Sequence, residues 1–311
     1  MRRALLRARA ALRDAAKPLG DAAVGALTTG LLRTTRYFDP VKTANLFGRV
    51  SRFIGRRLRE DKIGRANLTA AFPEKTPEEI ETILAGVWDN LGRVGAEFAH
   101  LDRMTVLDFE RGGDADVVYD RISYERFLQI RDSGKPTLVF GAHLANWEVP
   151  AIAPTTYKVR SNLLYRRPNI GAISDAVIAM RAGCMGNLIP TALDAPIRLA
   201  NALERGEHVG MLVDQHFGKG VDVLFFGRWA KANPLIAQLA RHTECAIRGV
   251  RVVRRTDGNS FWGELTDEIA PARDAEGRID IQGTMQVITG IVEAWVREHP
   301  EQWLWLHRRW R

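Results

Sequence analysis

Between residues 137 and 298 short apolar runs alternate with stretches of helical periodicity, and that alternation admits few architectures. Thr137-Leu138-Val139-Phe140 reads as a buried strand, and Asn162-Leu163-Leu164-Tyr165 and Val209-Gly210-Met211-Leu212-Val213 read as two more. Ala246 to Val253 and Phe261 to Leu265 add a fourth and a fifth. Helical patterns fall between them at about 175–181, 195–204 and 235–241, and a long one covers about 282–298. Strands that alternate with helices build an α/β domain around a mixed, largely parallel sheet. Its chemistry is expected beyond the carboxyl ends of the strands, where the loops gather.

Upstream, Asn67 to Glu74 reads as a loop ended by Pro73. Thr76 then offers an N-cap, with Pro77 at the first helical position and Glu79 placed for a capping box. The helix it starts is expected to run to about His100. Another is expected over Ser123–Asp132, broken by Ser133-Gly134-Lys135-Pro136.

The first 66 residues differ in character from the rest. They hold sixteen basic and five acidic side chains, a net of +11 in a chain whose total is +8, so residues 67–311 sum to −3. Of the 45 basic residues, 37 are Arg, which is always charged and forks onto phosphate through paired N–H groups. Arg7, Arg9 and Arg13 interrupt any signal-peptide core. The longest weakly apolar run, Ala22 to Leu32, is about half of the roughly 20 residues that a spanning helix needs. Leu5, Ala8, Leu12, Ala16 and Leu19 instead fall at helical spacing. Leu46, Phe47, Val50, Phe53, Ile54 and Leu58 form a stronger stripe, with Arg49, Arg52, Arg56 and Arg59 largely on the other face. Residues 1–66 are therefore expected to be a basic amphipathic segment that lies on a membrane, and residues 67–311 the α/β domain. For residues 46–58, packing of the stripe on the domain core is an equal alternative.

Three expected strands end in polar residues: Gly141-Ala142-His143-Leu144-Ala145-Asn146-Trp147-Glu148, Tyr165-Arg166-Arg167-Pro168-Asn169 and Asp214-Gln215-His216. Imidazole titrates near neutrality and can take a proton from an attacking hydroxyl. A carboxylate behind it would fix the tautomer and stabilise the imidazolium. His143 and Glu148 sit five apart across a strand end and the start of a helix, where the two can meet. That spacing alone is cheap in a chain with seven histidines; its place after a buried strand gives it weight. No G-x-S-x-G elbow, P-loop, G-x-G-x-x-G or H-E-x-x-H occurs, and Cys184 and Cys245 are isolated. Direct attack by a substrate hydroxyl, with His143 as base and with neither metal nor nucleotide cofactor, is what remains.

Several motifs together carry a resemblance. They are Asn67-Leu68 with Ala71-Phe72-Pro73-Glu74, the run from His143 to Glu148, and Tyr165-Arg166. Asp214-Gln215, Val221 to Gly227 followed by Ala230, and the closing Trp303-Leu304-Trp305-Leu306-His307-Arg308-Arg309-Trp310 complete the set. The chain resembles the bacterial lipid A late acyltransferases, the lauroyl and myristoyl transferase family of lipopolysaccharide synthesis, over nearly its whole length. The resemblance implies a glycerolipid-acyltransferase-like fold, an acyl-carrier-protein thioester as donor and a glucosamine-disaccharide lipid A precursor as acceptor. It also implies a peripheral or monotopic enzyme on the cytoplasmic face of the inner membrane. His143 and Glu148 match the family's catalytic pair. Arg181 stands where the family often has an Arg shortly before a Gly, and Asp214 and Gln215 match its Asp-Gln motif. The usual Tyr-Arg-Pro reads Tyr-Arg-Arg-Pro here, and Lys231-Ala232-Asn233-Pro234 follows Ala230 where a Thr is common.

On this reading Arg166, Arg181, Asp214 and Gln215 bind the substrate. Arg166 and Arg167 would grip a phosphate through paired N–H groups, and Asp214 would orient Arg166 or Arg181 or bond a sugar hydroxyl. Phe225 and Phe226 would line an acyl groove or belong to the core. Trp303, Trp305 and Trp310 would touch the membrane interface or pack as a C-terminal edge. The expected partners are acyl carrier protein, a glycolipid acceptor and inner-membrane lipids, without nucleic acid. Acylation of another glycolipid, such as a phosphatidylinositol mannoside, is the rival activity, and non-catalytic binding of anionic lipid the rival class.

Overall fold

The computed structural model describes residues 25–27, 29–167 and 171–310, with no account of the side chains of 171–174 and 176. The Leu5–Leu19 stripe lies outside the described residues.

Helix α1 (Pro40–Gly55) starts on Asp39, whose side chain accepts from the Lys42 N–H at 2.8 Å. It packs on α3 (Pro77–Glu97) through small residues, Thr43, Ala44, Gly48 and Gly55. A Cβ on Gly55 would lie 2.1 Å from the Trp88 ring, so only glycine lets the two helices approach so closely. The large apolar residues of α1 point the other way. Leu46, Val50, Phe53 and Ile54 are exposed, Phe53 by 66%, beside exposed Arg49, Arg52, Arg56 and Arg57. Of the two readings of this stripe, packing on the core is the one the structure does not bear out.

The Asn67–Ala71 segment is not a loop. It is the last part of α2 (Arg59–Ala71), so position 66/67 lies within a helix. Asn67, a poor helix former, is held there by tertiary bonds: its Nδ2 donates to the Trp305 and His307 carbonyls, each at 2.9 Å. The capping box before α3 is present in full. The Glu79 N–H donates to Thr76 Oγ1 at 3.2 Å, and the Thr76 N–H to Glu79 Oε2 at 2.7 Å. Helix α3 gives way at Phe98 to a 3₁₀ stretch that ends at Arg103.

A seven-stranded sheet follows, built from β1 (Val117–Tyr119), β2 (Thr137–Gly141), β3 (Ser161–Tyr165), β4 (Asn187–Pro190), β5 (His208–Leu212), β8 (Ala246–Arg254) and β9 (Phe261–Leu265). Its order is β1-β9-β8-β2-β5-β3-β4; only β8 and β9 are antiparallel neighbours. Helix α4 (Arg121–Asp132) leads into β2, α5 (Gly171–Ala182) joins β3 to β4, and α6 (Ala195–Glu204) joins β4 to β5. A separate antiparallel hairpin, β6 (Val221–Phe225) and β7 (Arg228–Ala232), precedes α7 (Leu235–Thr243), and α8 (Ile281–Glu298) closes the domain. Leu138 and Phe140 of β2 point into one hydrophobic layer, with α3, α6, α7 and α8. Val139 and, from β8, Val250 and Val252 point into the other, with Tyr124 and Phe127 of α4. Both faces of the sheet are covered, which is why β2 and β5 read as short apolar runs. The domain is a single α/β unit with a mixed, mostly parallel sheet flanked by helices.

Among the described residues no helix is long and apolar enough to cross a membrane. Trp303 and Trp305 are 1% and 0% exposed, so the C-terminal tryptophans pack inside and the interfacial reading of that segment is corrected. Phe225 and Phe226 are likewise core residues, ring against ring at 4.9 Å.

Candidate active site

Strands β2 and β5 are parallel neighbours, with Gly141 opposite Leu212, so the residues that leave their carboxyl ends emerge side by side. His143 follows β2 and Asp214 follows β5. Asp214 Oδ1 lies 2.7 Å from His143 Nδ1. Its other oxygen, Oδ2, accepts from the His143 backbone N–H and from the Trp303 indole N–H, each at 2.7 Å. Burial pushes the Asp214 carboxyl up, but attraction to the His143 ring and these three hydrogen bonds outweigh it and hold the group well below the usual carboxylate range. An ionised Asp214 only accepts, so His143 Nδ1 carries a hydrogen, and in the neutral ring Nε2 is the nitrogen that accepts. Gln215 Nε2, from an exposed side chain, lies 3.1 Å from that nitrogen.

The sequence paired Glu148 with His143; the structure pairs Glu148 with Arg181. Arg181 Nε donates to Glu148 Oε2 at 2.8 Å and its Nη2 donates to Oε1, while both side chains are mostly buried. The guanidinium also lies between the rings of Phe98 and Tyr165, at 5.6 and 5.7 Å. Two expectations are corrected together. Glu148 does not hold the imidazole, because its carboxylate is taken by a fork that matches it in both oxygens. Asp214 orients neither arginine and meets the histidine, because strand order and not chain spacing sets its neighbour. Arg181 turns the edge formed by its Nε and Nη2 toward Glu148. Arg166 and Arg167 are exposed just past β3, on the same edge of the sheet as His143.

The loop that carries His143 is pinned from behind. Ala145 has φ +47, a left-handed conformation that costs a non-glycine residue of order 1–3 kcal/mol and persists only where its surroundings enforce it. Its N–H donates to the Gln302 carbonyl at 2.8 Å and its carbonyl accepts from Asn90 Nδ2 at 3.0 Å. Asn146, fully buried, donates to Glu97 Oε2 at 2.9 Å, and its Oδ1 accepts from the Glu148 N–H at 3.1 Å. Glu97 is in turn paired with the buried Arg254. Asn90, Glu97, Asn146, Gln302 and Trp303 thus support the site without having been singled out for it in the sequence. Trp303 was legible only as part of a motif; Asn90 and Glu97 look like polar positions on a helix.

Among the described residues no cluster of three or more metal-ligating side chains occurs. The arrangement can take a proton from a hydroxyl at Nε2 and stabilise the resulting imidazolium against a buried carboxylate.

Comparison with known proteins adds a second line. A description of a protein family, "Bacterial lipid A biosynthesis acyltransferase", matches residues 21–311. The chain is similar to a lipid A biosynthesis palmitoleoyltransferase of Escherichia coli (strain K12), 23% identical over 267 residues that cover 81% of this chain and 79% of that protein. It is similar to the same extent to a lipid A biosynthesis acyltransferase of Shigella flexneri, again 23% identical over 267 residues.

Proposed function

The chain belongs to the bacterial lipid A biosynthesis acyltransferase family, and from that premise we propose that it moves a fatty acyl chain from an acyl-carrier-protein thioester to a hydroxyl of a lipid A precursor. His143 Nε2 takes the proton of the acceptor hydroxyl as its oxygen attacks the thioester carbonyl. Asp214 steadies the imidazolium through Nδ1–H and does not itself take the proton. The tetrahedral intermediate collapses with loss of the pantetheine thiolate, which receives the proton from the imidazolium. One ester forms, one thioester breaks and one thiol leaves, so the step balances without an oxidant or reductant. Gln215 holds the place beside Nε2 that the acceptor hydroxyl occupies in the reactive complex.

Arg166 and Arg167 serve the acceptor: they stand exposed at the site's edge, and guanidinium is the best side-chain match for a sugar phosphate. The protein works at the membrane surface, with the exposed apolar stripe of α1 in the interface and its arginines toward lipid phosphates. That surface is the cytoplasmic face of the inner membrane.

The observation that carries this reading is the Asp214–His143 pair at the carboxyl edge of the sheet, with Nε2 turned toward the exposed Gln215 side chain. Mass spectrometry of lipid A from a deletion strain tests it. The account expects lipid A short of one acyl chain, restored by the wild-type gene and not by His143→Ala. Unchanged lipid A in the deletion strain would remove this substrate and favour another glycolipid.

A further inference from the structure

The closing segment of the chain lies directly against the catalytic loop. Leu144 and Trp303 form an antiparallel bridge. The Leu304 N–H donates to the His143 carbonyl at 3.1 Å, and the Ala145 N–H to the Gln302 carbonyl at 2.8 Å. The loop is therefore gripped on both sides of Leu144. Within this strap the Trp303 indole N–H reaches Asp214 Oδ2 at 2.7 Å. Trp303 is 1% exposed, wedged between Phe225 at 5.5 Å and Trp305 at 4.7 Å, so the indole has no room to turn away.

We infer that Trp303 is a positioning residue for acyl transfer: its indole N–H fixes the Asp214 carboxylate so that Oδ1 faces His143 Nδ1. The inference rests on the reading of His143 as base. Asp214 lies at a strand end, where a short side chain can rotate about its second torsion. Two donors converge on one oxygen, the His143 N–H and the Trp303 N–H, and this leaves the other oxygen for the imidazole. Without the indole a single backbone donor remains, too little to fix the carboxylate plane, which then swings through angles at which neither of its equivalent oxygens faces Nδ1. The imidazole then loses its fixed partner for part of the time, and with it the tautomer that leaves Nε2 unprotonated.

Trp305 supplies the control. It is equally buried, belongs to the same aromatic cluster and also donates its indole N–H, but to the Pro300 carbonyl, at 2.7 Å. Trp303→Phe and Trp305→Phe remove the same volume and one indole hydrogen bond each; only the first touches the His143–Asp214 pair. The test compares steady-state kinetics, thermal unfolding and the proton resonance of His143 Nδ1–H, assigned by its absence in His143→Ala. The expected result for Trp303→Phe is a fall in kcat of about ten- to a hundredfold with the KM of both substrates unchanged, and a broadened or lost resonance. Trp305→Phe should keep both the resonance and kcat within about threefold while it melts at a similarly lowered temperature. Equal loss of kcat in the two variants, or a wild-type resonance and kcat in Trp303→Phe, overturns the inference. The resonance is read without turnover. If His143→Ala retains full activity, the reading of the base falls, and the resonance still decides whether Trp303 holds the pair.

Discussion

Replacing Asp214 with Asn changes one atom and reverses the tautomer of the base. Two N–H donors converge on Oδ2, from the His143 backbone and from Trp303, each at 2.7 Å. In Asp214→Asn that position must be the amide oxygen, so the amide NH₂ takes the place of Oδ1 and faces His143 Nδ1. An NH₂ can only donate, so Nδ1 must accept, the ring hydrogen moves to Nε2, and Nε2 can no longer take a proton. Flipping the amide would restore the tautomer but would set the NH₂ against both donors. Each buried donor left unpaired costs about 1–3 kcal/mol, so the flip costs about 2–6 kcal/mol. At about 1.4 kcal/mol per factor of ten, the active tautomer falls by roughly 30-fold to 10⁴-fold. The assay is steady-state acyl transfer from acyl carrier protein to a lipid A precursor in mixed micelles, with both substrates saturating. A drop in kcat inside that range is expected, with KM little changed and no gain from raising the pH. If Asp214→Asn retains kcat within threefold of wild type while Glu148→Gln collapses it, the pairing argument is refuted and Glu148 is the partner of the base.

The depressed Asp214 carboxyl also has a stability consequence. A group held below its unfolded value stabilises the fold above that value, about 3.9, and loses the contribution as pH falls through the folded one, so the stability gap between wild type and Asp214→Asn should be level above about pH 5 and shrink only in stronger acid. Chemical denaturation across pH checks it, and a gap that closes near neutrality would contradict it. Arg181→Ala leaves Glu148 mostly buried without its partner and should cost about 3–5 kcal/mol in urea unfolding, whereas a Glu148→Leu/Arg181→Met double variant should recover much of the loss. Arg166→Lys keeps the charge and loses the fork, and should raise acceptor KM about tenfold or more with a modest change in kcat; an unchanged KM with a collapsed kcat would move Arg166 to the oxyanion or the donor. Phe53→Ser with Ile54→Ser on the exposed face of α1 should leave the melting temperature unchanged and weaken flotation with anionic vesicles, more so as salt rises. Burial pushes the Cys184 thiol up to about 11, so at pH 8 it should resist alkylation, and Cys184→Ser should keep full activity.

What the sequence revealed and what it hid follow from one distinction, between local and non-local signals. Strands β2 and β5 are covered on both faces and so read as short apolar runs, and the Thr76–Glu79 capping box lies within four residues. The edge strands β1 and β4 are three and four residues long, too short for any period to show. The β6–β7 hairpin turns on Phe226 and Gly227, both at positive φ, and nothing in Phe-Gly announces such a turn as Asn-Gly would. Asn67 reads as a loop residue because its reason for being helical lies more than two hundred residues away, at the Trp305 and His307 carbonyls. The site divides along the same line. The histidine was legible from its place after a buried strand, and Asp214 and Arg181 were legible as motif residues. Who pairs with whom was not, because β5 comes to lie beside β2 only after two intervening strands have been passed over. Chain spacing favoured Glu148, and the sheet order gives Asp214.

The central claim is that His143, held by Asp214, takes the acceptor's proton during acyl transfer from a thioester. A single-turnover reaction of purified protein with acyl carrier protein bearing a labelled acyl chain, and with a lipid A precursor in vesicles, tests it most directly. The account predicts that wild-type protein adds one acyl chain to the precursor and releases one thiol. It predicts that His143→Ala does so about 10² to 10⁴ times more slowly at the same vesicle binding. Transfer by His143→Ala at the wild-type rate, or no transfer by the wild-type protein to this acceptor, would contradict it.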